Sequence, residues 1–265
     1  MKKTLQIANG LAFGSTIFIN YLSNTGVMNG ETIGSISDGL NSLFTPAGYA
    51  FAIWGLIYLL LLGFAIYQGR SLFIRVENDD FVLKIGFWFL ISCVANCCWV
   101  FTWMYGYTGL SIIAMFLLLV SLLKIILHND MELWDAPLRT ILFLWWPFVI
   151  YAGWITVASI ANVSAYLVKI NWSGWGISPT LWTVFMIGIA TSVNTILIWK
   201  RNLREFAAVG VWALFAIAVA NWDAEQAVKT TALIAAVFLS VNIVIHAAKN
   251  YKTNPIVKLV RNNKK

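Results

Sequence analysis

Apolar stretches of about 20 residues alternate with short polar segments along nearly the whole of this chain. Because an α-helix needs about 20 apolar residues to cross the hydrocarbon core of a bilayer, the pattern predicts transmembrane helices. Eight spans are predicted, at about 5–22, 47–67, 85–104, 108–128, 140–166, 180–199, 205–221 and 230–248. The predicted fold class is therefore all-α, a polytopic transmembrane helix bundle.

The positive charges test this arrangement independently, because Lys and Arg collect in cytoplasmic loops. With a cytoplasmic N-terminus, 16 of the 18 Lys and Arg residues fall inside, and only Lys169 and Lys229 fall outside. This bias favours an even number of spans with both chain ends in the cytoplasm, in a bacterial inner (cytoplasmic) membrane. The net charge of +7 then follows from topology and contact with anionic lipid. The lipid bilayer is the predicted partner, and nucleic acid is not.

Several mechanisms are disfavoured by what the spans lack. No Asp or Glu falls in a predicted membrane core, whereas proton-coupled pumps and intramembrane aspartyl proteases need acids at depth. Cys93, Cys97 and Cys98 share one span, where helix packing is favoured over a disulfide or a metal site. His128 and His246 lie near cytoplasmic helix ends and are interpreted as interfacial. No catalytic or metal-binding residue is predicted, and an enzyme is the weakest functional hypothesis.

Aromatic and amide side chains are the chemistry that remains inside the spans. The chain has 14 tryptophans, and rings and amides recur at spacings of three and four, which place them on one helical face. The predicted ligand-binding residues are Phe51, Trp54 and Tyr58 in the second span, Asn96 and Trp99 in the third, and Trp154, Ala158 and Asn162 in the fifth. With a rise of about 1.5 Å per residue, most lie about 6–18 Å below the outer surface. An aromatic-lined cavity opening outward is therefore expected.

Packing explains the same residues without a ligand. Trp54, Trp99 and Trp154 are equally consistent with helix packing, and Asn96 and Asn162 with hydrogen bonds between helices. Other aromatic residues near the outer ends of the spans are predicted to form the interfacial belt typical of membrane proteins. These are Trp103, Tyr105, Tyr107, Trp172, Trp175, Trp182 and Trp222.

The aromatic segments resemble the translocator protein / tryptophan-rich sensory protein (TspO/MBR) family. The motifs that carry the resemblance are Asn96-x-x-Trp99 and Tyr151-x-x-Trp154-x-x-x-Ala158-x-x-x-Asn162. The resemblance implies a five-helix membrane fold that binds porphyrins, sterols and drug-like apolar ligands, with Trp154 and Ala158 lining the pocket. Pro46-Ala47 and Tyr49 stand where the family usually has paired prolines and a tryptophan, which leaves the identity of the ligand open.

The resemblance covers about residues 5–168, and three further spans follow it. A long form of the family is therefore predicted, with three extra C-terminal transmembrane helices. The predicted units are a TspO-like core at 1–168, an extracytoplasmic linker at 169–179, three additional helices at 180–250 and a basic cytoplasmic tail at 251–265.

Two functional classes fit these features. The first is a binding, sensory or carrier protein for a planar apolar ligand, a porphyrin or other tetrapyrrole before a sterol-like molecule, because flat rings stack on indoles. The second is a facilitative transporter of a small apolar solute. Porphyrin or haem is the only cofactor-like ligand that the resemblance implies, and a homodimer stays open as a further partner.

Overall fold

The computed structural model of the chain describes residues 1–76 and 79–251, so the predicted basic tail lies outside the described residues except for Tyr251. The described residues form helices and connecting turns without a strand, which confirms the all-α prediction. Eight long helices occur among them, one for each predicted span. They are α1 (Lys2–Leu22), α2 (Ile53–Gly69), α3 (Trp88–Met104), α4 (Thr108–His128), α5 (Trp146–Lys169), α6 (Pro179–Arg201), α7 (Arg204–Ala220) and α8 (Gln226–Lys249).

Short helical segments join or extend the long helices. The loop between α1 and α2 contains a helix, Ile33–Gly39, and a 3-10 turn, Gly48–Ala52, that runs directly into α2. A short helix, Phe81–Ile85, precedes α3, and a π-helical turn, Ile141–Trp145, precedes α5. The remaining short segments are Arg70–Leu72, Leu138–Thr140 and Gly174–Gly176.

Five helical segments among the described residues are long and apolar enough to cross a membrane. They are Gly48–Leu72, Thr108–His128, Leu138–Lys169, Pro179–Arg201 and Gln226–Lys249. Trp88–Met104 is apolar but shorter. The chain therefore has the helices of an integral membrane protein in contact with lipid, while the count of eight spans and their orientation stay predictions.

The second helix illustrates how the apolar pattern sorts residues between the core and the lipid. Its buried face follows helical periodicity and consists of Ile53, Ile57, Leu61, Phe64 and Gln68. The opposite face is apolar too, and Leu59 and Ile66 are each 66% exposed. Such a continuous apolar surface is unfavourable in water but compatible with lipid.

The first helix packs through buried amides as well as through the apolar side chains of Leu5 and Phe13. Asn9 donates a hydrogen bond from Nδ2 to Gln68 Oε1 on α2, at 3.0 Å. Asn20 donates one from Nδ2 to Asn96 Oδ1 on α3, at 2.7 Å. All four side chains are buried, so these bonds hold α1 against both neighbours where water cannot compete.

The fifth helix is the centre of the bundle, since 12 of its 24 residues are buried. It packs against α2, α4 and α7. Its contact with α7 is close because of Gly153: a Cβ atom there would lie 2.9 Å from the carbonyl oxygen of Phe206. Helix backbones in membranes approach this closely where the residue between them is small.

An ion pair ties the start of α1 to the loop before α3. Lys2 contacts Asp79, a carboxylate that is only 4% exposed. Burial raises the pKa of Asp79, but hydrogen bonds from Lys2 and Ser71 and the charge of Lys2 lower it, and the net pKa lies below the ordinary 3.8. The ionised carboxylate of Asp79 therefore stabilises the folded state.

We expect this pair to make stability depend on acidity. Because the folded-state pKa of Asp79 is depressed, its contribution is complete above the unfolded value of 3.8 and is lost as the pH falls through the folded value. Melting temperatures of the wild type and of Asp79→Asn in detergent, measured from about pH 6 to about pH 3, should differ at the higher pH, and the difference should narrow toward the lower. A difference that is constant over this range would contradict the assignment.

Candidate functional site

A small cavity lies near one end of the bundle, between α3, α4 and α5, and is closed by the loop that precedes α2. Its volume is about 40 Å³. Its walls are Ile33, Ser37, Pro46, Phe51, Trp99, Trp103, Met115, Trp154, Val157, Ala158, Ala161 and Asn162. None of these side chains is ionisable, so the cavity presents rings, aliphatic groups and a few neutral polar atoms.

Segment 41–51, which delivers Pro46 and Phe51 to the cavity, is fastened to α7 by three hydrogen bonds. The backbone N–H of Ala47 donates to the carbonyl of Ala216 at 3.0 Å. Trp212 Nε1 donates to the carbonyl of Ala50 at 3.2 Å, and Asn221 Nδ2 donates to the carbonyl of Leu43 at 3.0 Å. Part of the cavity wall is therefore positioned by a helix that contributes no lining residue.

Two rings from different elements meet edge to face in the wall. The ring centroids of Phe51 and Trp154 are 5.9 Å apart and their planes are inclined by 80°. The 3-10 turn that carries Phe51 runs into α2 without a break, which fixes the approach of this ring. The geometry is a favourable one for an aromatic pair.

A row of four nearly parallel rings runs alongside and into the cavity. Tyr58 stacks on Trp54 at 5.4 Å, Trp54 on Trp99 at 6.3 Å, and Trp99 on Trp103 at 6.2 Å. Successive planes are inclined by only 23°, 26° and 24°. Trp99 and Trp103 line the cavity, and the other two rings support them from α2.

Asn162 joins three helices at the edge of the cavity. Its Oδ1 accepts a hydrogen bond from Trp99 Nε1 at 2.9 Å, and its Nδ2 donates to Ser111 Oγ at 2.8 Å. These bonds link α5 to α3 and α4. They also fix the orientation of the Trp99 indole, which is part of the wall.

Asn96 lies outside the cavity and is used within the bundle. Its Nδ2 donates to Tyr151 Oη at 2.9 Å, and its Oδ1 accepts from Asn20. The residue is completely buried. Of the eight residues predicted to bind a ligand, Phe51, Trp99, Trp154, Ala158 and Asn162 line the cavity, while Trp54, Tyr58 and Asn96 pack beside it. Contact with a ligand stays a prediction for all eight.

Trp103 is a wall residue that the sequence reasoning assigned to the interfacial belt. It is only 4% exposed, and its Nε1 donates to the carbonyl of Ile33 at 3.4 Å. Its spacing of four from Trp99 is the signal that could have identified it, since residues at that spacing share a helical face. Ile33 and Ser37 carried no comparable signal, because they reach the cavity only through the folding of the loop.

Trp154 carries the most informative polar atom of the cavity. The residue is 2% exposed, and its Nε1 has no hydrogen-bond acceptor within the part of the chain that the structure describes. A buried donor without an acceptor costs about 1–3 kcal/mol. The atom is not open to the present cavity space, so an occupant would recover that cost only by widening the cavity and bringing an acceptor to this N–H.

Comparison with known proteins identifies one family. The family model described as TSPO-like protein matches residues 6–245, a range that contains most of α1, all of α2–α7 and most of α8. The match continues well past residue 168. No curated protein and no solved structure matches the chain.

Proposed function

Because the chain belongs to the TSPO-like protein family, we propose that it is a membrane-embedded binding protein, sensory or carrier, for a planar apolar ligand. A porphyrin or related tetrapyrrole is the ligand class that we favour. The observation that carries the proposal is the unpaired Trp154 N–H in the wall of an aromatic cavity whose lining, among the described residues, has no ionisable side chain.

The ring arrangement supports a flat ligand. The cavity-lining rings of Trp99 and Trp103, and the ring of Phe51 that meets Trp154 edge to face, offer stacking and edge contacts to a planar molecule. A ring nitrogen or carbonyl of such a molecule could accept from Trp154 Nε1. The carboxylates of a porphyrin would extend toward the end of α5, where exposed Lys169 donates to the carbonyl of Gly106.

Binding requires the cavity to widen. Its volume of about 40 Å³ compares with about 300–1,000 Å³ for typical small-molecule sites. The walls from α3, α4 and α5 belong to long packed helices, whereas Ile33, Ser37 and Pro46 belong to the loop. We propose that the loop helix Ile33–Gly39 moves outward to admit the ligand.

Replacing Trp154 by alanine tests the assignment. The variant loses one ring face and the N–H, so we expect protoporphyrin IX to bind about 5- to 150-fold more weakly, equivalent to about 1–3 kcal/mol. The shift of the porphyrin absorption band is the readout, because it does not depend on the number of tryptophans. Trp199→Ala is the matched control, since Trp199 lies on α6 and is 41% exposed.

Equal affinities for the wild type, Trp154→Ala and Trp199→Ala would place porphyrin binding outside this cavity.

Transport of a small apolar solute is the alternative function, and it predicts protein-dependent flux of the solute in proteoliposomes. Saturable binding without flux supports a sensory protein.

A further inference from the structure

A second cavity, about ten times larger, lies at the same end of the bundle. Its volume is about 420 Å³. It is bordered by the last turns of α5, the first turns of α6, the linker between these helices, and residues 41–44. A cavity of this volume is within the usual range for small-molecule sites without any rearrangement.

Three tryptophans, Trp172 and Trp175 of the linker and Trp182 of α6, form a cluster beside this cavity that we call the tryptophan clamp. Trp182 on α6 donates from Nε1 to the carbonyl of Gly174 at 2.9 Å. Its ring lies 5.3 Å from Trp172 and 6.0 Å from Trp175, measured between centroids. The start of α6 is fixed as well, because Ser178 caps the helix and Pro179 occupies its first turn. The clamp therefore defines the shape of the cavity.

Among the residues that the structure describes, the lining is largely hydrocarbon and includes no ionisable side chain. Phe44, Val163, Leu167 and Met186 provide apolar walls. Neutral polar groups are also present, and Ser164 is the one that could bind a polar group of a ligand. Its Oγ accepts a hydrogen bond from Ser42 Oγ at 2.8 Å. A hydroxyl also has one hydrogen to donate, and among the described residues Ser164 donates none.

We propose that this cavity binds an uncharged amphiphile with a single hydrocarbon body and one hydrogen-bond acceptor, such as a hydroxyl or carbonyl, placed at Ser164. A volume of about 420 Å³ lies in the lower part of the range of about 300–1,000 Å³ for small-molecule sites. It suits one short chain or a small ring system better than a two-chain phospholipid. The absence of a cation from the lining also disfavours a phosphate head group.

The site is separate from the one proposed for the planar ligand. Both cavities border α5, but Trp154 and Ala158 face one of them, whereas Val163 and Leu167 face the other. At 100° per residue these pairs point to different sides of the helix. A substitution that changes the lining of one cavity can therefore leave the lining of the other unchanged.

Photolabelling with a 12-carbon alcohol that carries a diazirine tests the proposal on the full-length protein in nanodiscs. We expect saturable labelling of residues 160–168 and 179–186 that excess unlabelled dodecanol displaces. Met186→Trp should reduce this labelling at least about fivefold, because the indole fills the cavity. Val193→Trp, on the exposed face of the same helix, should leave it unchanged.

Ser164→Ala provides a second test that does not depend on filling the cavity. The wild type should prefer the alcohol probe to an alkane probe of the same length, and the variant should lose that preference. Labelling that does not saturate, or that is equal in Met186→Trp and Val193→Trp, would show contact with bulk lipid only and overturn the proposal. Porphyrin titration of Met186→Trp should match the wild type, so failure of one site is distinguishable from failure of the other.

Discussion

Phenylalanine in place of Ala158 should abolish saturable binding of protoporphyrin IX. Ala158 lines the first cavity beside Trp154, on the helix that forms much of its wall. The new ring is larger than the free space of about 40 Å³, and it projects from a buried helix that cannot move aside. We expect the affinity to fall by at least about 100-fold, or about 2.7 kcal/mol.

Gly188→Phe is the control for a large ring added to a membrane helix. Gly188 is exposed on α6, and no atom lies within 4 Å of the Cβ position there. This variant should bind like the wild type, and both variants should elute from size exclusion as the wild type does. Normal porphyrin affinity in a folded Ala158→Phe variant would rule out the first cavity as the binding site.

Valine in place of Gly153 is expected to have the largest effect on stability. The Cβ atom would lie 2.9 Å from the carbonyl oxygen of Phe206, 3.2 Å from its Cα and 3.2 Å from Val209 Cβ. The first two neighbours are backbone atoms, so α5 and α7 would have to separate. Overpacking of this kind costs about 3 kcal/mol or more.

Thermal unfolding in detergent measures the effect. Gly153→Val should melt well below the wild type, whereas Gly188→Val, which introduces the same side chain on a helix with open space beside it, should change little. Similar melting temperatures for the two variants would mean that α7 does not pack on α5 as the structure describes.

The helices could be predicted from the sequence because a bilayer imposes a length on every apolar run. The predicted span at 108–128 coincides with Thr108–His128, and the one at 205–221 is shifted by one residue at each end from Arg204–Ala220. Spacing also placed Trp99, Trp154 and Asn162 on defined faces of their own helices, and the structure brings these three residues together at the first cavity. These features depend on local periodicity, which a single sequence retains.

The features that the sequence did not reveal depend on the loops. The helix Ile33–Gly39 folds over the cavity and brings Ile33 and Ser37 to it, although neither residue belongs to an apolar run. Trp103 was assigned to the lipid interface because its depth is that of the belt, yet the same loop covers it. The second cavity was equally hidden, since it exists only once the linker is folded onto α5 and α6.

The attachment of segment 41–51 to α7 has a thermodynamic consequence for any ligand of the first cavity. If segment 41–51 moves when a ligand enters, its three hydrogen bonds must stretch or re-form, and occupancy is then energetically linked to the position of α7. Linkage is reciprocal: whatever stabilises one arrangement of α7 changes the affinity for the ligand, and the ligand biases α7 by the same factor. The cytoplasmic end of α7 bears Arg204 and Glu205 if the predicted orientation holds. In that orientation α7 holds the cavity segment near one membrane surface and carries these two charged side chains at the other.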